Sequence, residues 1–477
     1  MQPFRRQTVA VIGAGPAGLA AALEAQAAGF EVILLEKMDR PGGKGGSRRW
    51  GDFIVDFGPH AFHAMSKKIT EIIASHGGTE LSEVKISQRL YVTDVPMKYP
   101  FSFQEGIRTF GLLLNVRIFL DYLFVKIKAT IYRPRLDSFR AYGIANFGRT
   151  LYDICFGLYS ERVWGCSADL LSVEFARRKL PSVSLGAFLL EAFSRNRPSK
   201  TNTKSYLHIR RYLYPKYGMG AVYENIAAAL VKNGAIIHYG FDLSMLQTDS
   251  SQKVLSATAH DSSRKAIQAD LFVSTIPISD LLASLDSGKH KSNGPEFDLP
   301  FRNGVIVNAV VKRKQFDTCH WMYLVNHKFY FGRVSEPKNF SSACAPSHQT
   351  LLMFEKICSS EDAAWSRTPE EWRPFVVTEL DHFGVAAGEI GAISVSRMDK
   401  AFPFHLVGYE KRKTFVLEQL SGFANLVTTG RYGLYLDINM HDSMVLGVES
   451  FRHLQDGRVA EFYQKHEEIP LAWRDEN

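Results

Sequence analysis

Cysteine is scarce in this chain: five residues in 477, at Cys155, Cys166, Cys319, Cys344 and Cys358. They are scattered, odd in number and free of C-x-x-C or metal-type spacing. Neither a disulfide framework nor a metal site is expected, and a reducing compartment is the simplest setting. Long apolar runs are missing too. The most apolar region, Phe101 to Arg149, is too short and too charged to span a bilayer. The opening Met-Gln-Pro-Phe-Arg-Arg-Gln runs straight into a strand, with no room for a secretory signal, so a cytoplasmic location is expected. No basic stripe interleaved with aromatics stands out, so no nucleic-acid partner is expected. Internal repeats and low-complexity tracts are absent. Acidic charge is the minority: 57 Lys and Arg against 49 Asp and Glu leave a net charge of +8, which favours anionic partners, either phosphorylated small molecules or a membrane surface. What remains is ordinary for a globular protein, 45% hydrophobic and 22% charged, with core enough for roughly two or three domains.

Against that background one stretch carries a dense pattern. Thr8 to Ile12 is a short, partly β-branched apolar run suited to a buried parallel strand. Gly13, Gly15 and Gly18 follow at G-x-G-x-x-G spacing. The first glycine allows the tight turn, the second lets backbone approach a pyrophosphate, and the third lets the helix pack close to the strand. Leu19 to Gly29 reads as that helix, whose N-terminus presents N–H groups to phosphate. Val32 to Leu35 reads as a second strand, closed by Glu36, an acid suited to ribose hydroxyls. Strand, glycines, helix, strand and acid in this order make a dinucleotide site, with Pro16, Ala17 and Lys37 at its edges. NAD and FAD share the pattern, so the residues that follow must decide between them.

Those residues are Lys-Met-Asp-Arg-Pro-Gly-Gly43-Lys44-Gly-Gly. A plain NAD domain needs no second glycine-rich segment here. It resembles the arginine/glycine segment of two-dinucleotide-binding flavoproteins, where backbone curls under the pyrophosphate. Next comes Asp56-Phe-Gly58-Pro59-His60-Ala-Phe-His63, at the end of a hairpin arm from Trp50 to Phe57. Asp-x-Gly-Pro-His-x-Phe after such a segment looks like the flavoproteins that group amine oxidases, protoporphyrinogen oxidases, carotene desaturases and UDP-galactopyranose mutases. The resemblance implies FAD as cofactor and flavin contact for Gly58, Pro59 and His60. By residue type alone, His60 and His63 are surface or satisfied core histidines.

Ile69 to Gly77 reads as an amphipathic helix. From Phe101 to Arg149, apolar rows alternate with Arg117, Lys126, Lys128, Arg133, Arg135 and Arg140. Two readings stand: a helical substrate-domain core with a solvated basic face, or, over residues 108–140, a basic amphipathic element lying on a membrane. The pattern turns back to α/β with a helix at Val222 to Asn233 and strands at Ala235 to His238, Phe241 to Leu246 and Leu271 to Pro277. The resemblance implies adenine contact near Leu243 and a phosphate-side position for Thr275. Strand-length runs at Val305 to Lys312, His320 to Val325, Lys328 to Val334 and Thr350 to Lys356 suggest one wall of a substrate cavity. Arg333 is a candidate for that cavity, a solvated edge-strand arginine being the simpler reading. Helices are expected at Pro369 to Phe383 and Lys411 to Leu420, and a strand at Ala392 to Arg397.

The last motif runs Leu426-Val-Thr-Thr-Gly430-Arg431-Tyr-Gly-Leu-Tyr435-Leu-Asp437-Ile-Asn439-Met440-His441-Asp-Ser443. A strand ends in Gly-Arg, and a helix, about Met440 to Leu454, starts after a polar turn. Such a helix end stabilises negative charge. In the family resembled, Gly-Arg followed by a polar-Met pair marks flavin contact, which implies it for Gly430, Arg431, Asn439, Met440 and Ser443. Where UDP-galactopyranose mutases usually carry a second Tyr the chain has Asp437, and it has Asn439 where they tend to have Asp. The resemblance also sets Tyr435, Asp437, His441 and His63 near the flavin ring, with Asp437 the candidate general base.

The expected architecture is α/β: a discontinuous Rossmann-like FAD-binding domain (1–95, 212–290 and 421–477) with an inserted α+β substrate domain, helical over 96–211 and mainly β over 291–420. The expected function is an FAD-dependent oxidoreductase taking hydride from a small organic substrate, anionic or nucleotide-linked, to flavin N5. The alternatives are a flavin-dependent sugar isomerase of the mutase kind and a non-catalytic FAD-binding peripheral protein.

Overall fold

The computed structural model describes residues 6–63, 67–78, 80–99, 103–132, 135–180, 212–286 and 294–466. Five strands form one parallel sheet: β1 (Thr8–Ile12), β2 (Glu31–Glu36), β3 (Ile236–Tyr239), β4 (Leu271–Ser274) and β5 (Leu426–Thr428), in the spatial order β3-β2-β1-β4-β5. The central strand β1 is buried along its whole length, as its unbroken apolar run requires. It pairs in parallel on both sides, Val9 facing Val32 and Leu271. The sheet therefore draws strands from the front, middle and end of the chain.

Helix α1 (Pro16–Ala27) leaves β1 through the glycine turn, with Pro16 at its first position, where a missing N–H costs nothing. Helix α3 (Met440–Gln455) packs along α1. Gly447 makes the approach possible, because a Cβ there would sit 2.1 Å from the Ala17 carbonyl oxygen.

A seven-stranded mixed sheet stands apart from the first. Its order is Ile390–Pro403, Phe301–Val311, Thr350–Cys358, Arg333–Ser335, Trp321–Leu324, Gln88–Tyr91 and Met97–Tyr99. Gln88–Tyr91, which precedes the expected boundary at residue 95, belongs to this sheet and pairs in parallel with Trp321–Leu324. Two expected strands differ. Lys328 to Val334 is mostly loop, with only Arg333–Ser335 extended. The strand expected over Phe241 to Leu246 runs from Leu243 to Thr248 and pairs antiparallel with Val254–Ala259 in a separate four-stranded sheet. The helix expected near residue 369 is Pro369–Asp381, set by a reciprocal cap between Thr368 and Glu371.

Helix α2 (Phe103–Ile131) leads the helical part, interrupted by a non-helical Gly111 at φ 71°. Its inner side, with Ile118 and Tyr122 buried, rests beside Phe147, Leu151 and Tyr152.

Candidate functional site

The glycine turn is built by contact rather than by glycine content. Gly13 has φ +100°, and a Cβ on it would meet Thr275 Oγ1 at 2.3 Å. Its N–H donates to the Leu35 carbonyl at 2.8 Å, tying the turn to the end of β2. A Cβ on Gly18 would meet the Gly13 carbonyl oxygen at 1.9 Å. Gly15 differs from both, since a Cβ there would meet nothing within 4 Å, and Gly15 lines a cavity of about 800 Å³.

The second glycine segment folds back on the first. Gly42 N–H donates to the Ala14 carbonyl at 2.8 Å. A Cβ on Gly43 would lie 3.4 Å from Gly15 Cα, and one on Gly45 would lie 2.9 Å from Met440 Sδ. Residues some 400 positions apart in the chain thus meet around one cavity. The N-terminal ends of α1 and α3 both line it, through Pro16 and Ala17 and through Asn439, Met440 and Ser443, so two positive helix ends face the same space.

Of the candidate cofactor residues, Gly13, Gly15, Pro16, Ala17, Glu36, Lys37, Gly43 and Lys44 line this cavity, as do Pro59, His60, Leu243, Thr275, Gly430, Arg431, Asn439, Met440 and Ser443. Gly18 and Gly58 do not. Gly18 serves the packing beneath the turn, and Gly58, at φ +143°, shapes the bend that carries His60.

Glu36 is buried at the end of β2 and accepts from Ala14 N–H at 2.6 Å and Met38 N–H at 2.8 Å. Burial pushes its carboxyl up, and the two amides pull it part of the way back. Lys37 sits at the rim in an exposed ion pair with Asp242, 3.1 Å away. Lys44 donates to the Lys400 carbonyl at 2.8 Å and lies 4.2 Å from the Tyr432 ring centre. Burial pushes its amine down to about 7. His60 is pushed down to about 3, by burial first and then by the Arg333 and Arg431 charges, so its ring is neutral. Its Nδ1 is enclosed without a hydrogen-bond partner among the described residues, and an orphaned buried nitrogen on a cavity wall fits a site made for a ligand.

The candidate catalytic residues fare differently, since Asp437, Tyr435, His441 and Arg333 do not line the cavity. Asp437 was expected as a general base. Instead it pairs with Lys179 Nζ at 2.6 Å and Arg431 Nη2 at 3.0 Å. Burial alone would raise its pKa, but these cations outweigh burial and hold the carboxyl below its ordinary range. A carboxylate so stabilised is a poor proton acceptor. Tyr435 is fully buried, its hydroxyl 2.5 Å from the Pro300 carbonyl and 2.8 Å from that of Phe404. It joins segments rather than facing a substrate. His441 is buried on α3, 3.4 Å from Asp442, and burial pushes it down to about 4. Arg333 pairs with Glu355, its Nε donating to Oε2 at 2.8 Å. Its charge is felt at His60 on the cavity wall. His63 pairs through its backbone with Tyr212, and its side chain lies outside the described residues.

Several wall residues were not anticipated: Asp280, Trp321, Asp399, Lys400 and Tyr432. Asp399 and Lys400 sit in a long strand of the second sheet, where no local pattern marks them. The one trace is Lys400's φ of 48°, unusual for lysine, and that is visible only once the chain is folded.

Residues 16–354 match the family described as flavin containing amine oxidoreductase. A phytoene dehydrogenase from Streptomyces griseus is 24% identical over 357 residues, covering 68% of this chain and 63% of that protein. The neurosporene-forming phytoene desaturase of Rhodobacter capsulatus is 49% identical over 98 residues, covering 20% of this chain and 17% of that protein. Each match spans less than two thirds of the relative's own length. Among solved structures, reduced UDP-galactopyranose mutase superposes with a TM-score of 0.80 at 20% identity, covering 94% of this chain and 96% of that one. The cavity walls fit the cofactor this family carries: two helix N-termini for a diphosphate, a buried acid at the end of β2 for a ribose, and glycines where a side chain would fill the space.

Proposed function

This chain belongs to the flavin-containing amine oxidoreductase family, and from that premise we propose that it is an FAD-dependent oxidoreductase that removes hydrogen from a carbon centre of its substrate. FAD, when bound, supplies a two-electron acceptor able to take hydride at N5 from a C–H bond. The observation that carries the reading is the meeting of Gly15, Gly43, Gly45 and Met440 around one cavity.

The chain's own residues bind, orient and set charge. Glu36 offers a carboxylate already steadied by two amides. Lys44, with a pKa of about 7, holds a proton only part of the time until an anion enters beside it. Neutral His60 presents an uncharged wall. Asp437, Tyr435 and His441 hold the loop between β5 and α3 in place through their ion pair, hydrogen bonds and burial. With these three off the cavity wall, the reading asks for hydride removal by the cofactor, with little acid–base help from the protein. The curated relatives are, by name, a dehydrogenase and a desaturase, and loss of hydrogen from carbon is the class of reaction we assign here.

Anaerobic mixing of the FAD-loaded protein with phytoene, or with a primary amine, tests this. Bleaching of the oxidised flavin band by either one supports the proposal. Turnover of UDP-galactopyranose that occurs only after prior chemical reduction, with no bleaching by either donor, would overturn it in favour of an isomerase. A bound flavin that no donor reduces, and that supports no such turnover, would leave FAD a structural part.

A further inference from the structure

One surface of the molecule is out of keeping with the rest. Beyond Gly111 the helix α2 restarts, with Asn115 Nδ2 donating to the Gly111 carbonyl at 2.6 Å. From there to Ile131 it runs for about 28 Å. Its inner side packs on the helical core, but its outer side is apolar as well. Leu113 is 88% exposed, Leu112 72%, Ile131 69% and Phe124 65%. Placed at about 100° per residue, the exposed apolar side chains fill one arc about 140° wide. Single exposed leucines are ordinary, but a continuous row of this length marks an interaction surface.

The charges around the arc identify its partner. Arg117 and Lys128, both exposed, follow one edge, and Lys126 falls on the other, its Nζ turned inward to donate to the Ala145 carbonyl at 2.9 Å. The acid on this length of helix, Asp121, lies next to Lys128, about 60° beyond the apolar arc, with its carboxylate turned to the protein, where it accepts from Thr150 N–H at 2.6 Å. Among the described residues no helix is long and apolar enough to cross a membrane. An apolar stripe with an exposed basic edge, its nearest acid already taken up by a backbone amide, suits a surface that is apolar beneath a negatively charged layer. The chain's net charge of +8 acts in the same direction.

We propose that α2 docks the protein on an anionic lipid bilayer, lying in its surface with residues 112–131 against the acyl boundary and the Arg117 and Lys128 edge at the level of the lipid phosphates. This stands independently of the reaction assigned above, because it uses no cavity residue.

Sedimentation of the FAD-loaded full chain with phosphatidylcholine vesicles, with and without phosphatidylserine, tests the proposal. The protein should pellet with the anionic vesicles, and less so as salt rises. Arg117→Gln with Lys128→Gln should weaken binding by about thirtyfold, at the usual worth of a basic residue near such a surface. Leu113→Glu with Phe124→Glu should reduce it to background while the flavin spectrum and Tm stay as in the unmodified protein, since both side chains are exposed. Should that pair lose the flavin, Leu112→Gln with Leu120→Gln supplies the same readout. Failure to pellet, equal pelleting with neutral vesicles, or apolar-arc variants that bind like the unmodified protein would each overturn the proposal. So would a dimer that the Leu113 and Phe124 changes split while vesicles bind nothing, which would assign the face to a second copy of the chain.

Discussion

At the scale of single residues, the cavity is tuned by charged and titratable groups buried in its wall. Burial brings the amine of Lys44 down to about 7. An anionic cofactor beside it raises that value, so FAD binding takes up protons. The lysine's contribution to affinity is then whole below pH 7 and fades as the pH rises from about 7 towards the higher value in the complex. Fluorescence titration of apoprotein with FAD should show affinity declining across that window, and Lys44→Met should flatten the decline.

Asp437 runs the other way. Lys179 and Arg431 hold its carboxyl below the ordinary range. The stability it contributes is present above the unfolded carboxylate pKa and is lost as pH falls through the depressed value. Asp437→Asn should cost about 1–2 kcal/mol at pH 7, discounted because Lys179 is partly exposed, with the deficit shrinking in acid. Denaturant titration at the two pH values measures this. The rate of flavin reduction should stay within a few-fold of the unmodified enzyme, whereas a general base would lose orders of magnitude.

Between elements, the decisive contact is the pairing of α1 with α3. Gly447 lies under the Ala17 carbonyl with no room for a methyl group. Gly447→Ala must push the helices apart or bend one of them, at about 1–3 kcal/mol. Because α1 carries the glycine turn and α3 the Asn439–Ser443 wall, the loss should appear twice: as a lower Tm and as faster release of FAD. A substitution of similar size at exposed Gly384, where a Cβ would meet nothing but φ is +68°, should cost stability through backbone strain alone and leave FAD release unchanged. Helix α2 teaches a different lesson. It is apolar on two sides, so periodicity shows a helix without showing which side faces inward.

For the whole molecule, the parallel sheet unites β1 and β2 with strands from two distant parts of the chain. The cavity is walled by residues from 13–60, 243–275 and 430–443, so a cofactor bound in it would tie those parts together. FAD should therefore stabilise the native state by mass action, by about 2.7 kcal/mol at a hundredfold excess over Kd. Scanning calorimetry should show Tm rising with FAD concentration. A Tm that ignores FAD would show that the site does not span these segments.

The sequence alone determined what depends on neighbours along the chain. A β-strand of apolar residues, a turn that only glycine permits, a helix end and an acid lie within thirty residues, and their order is itself the constraint; the Gly-Arg turn into α3 is of the same kind. Only the tertiary structure decided what depends on partners far away. It paired Asp437 with Lys179 from another helix, and it turned the Tyr435 hydroxyl towards Pro300 and Phe404. It also set Lys400 on the cavity wall. A side chain's type states which chemistry it can offer. Whether it offers that chemistry to a ligand or to a neighbour is settled by distances of a few ångströms between segments hundreds of residues apart, which no local pattern encodes.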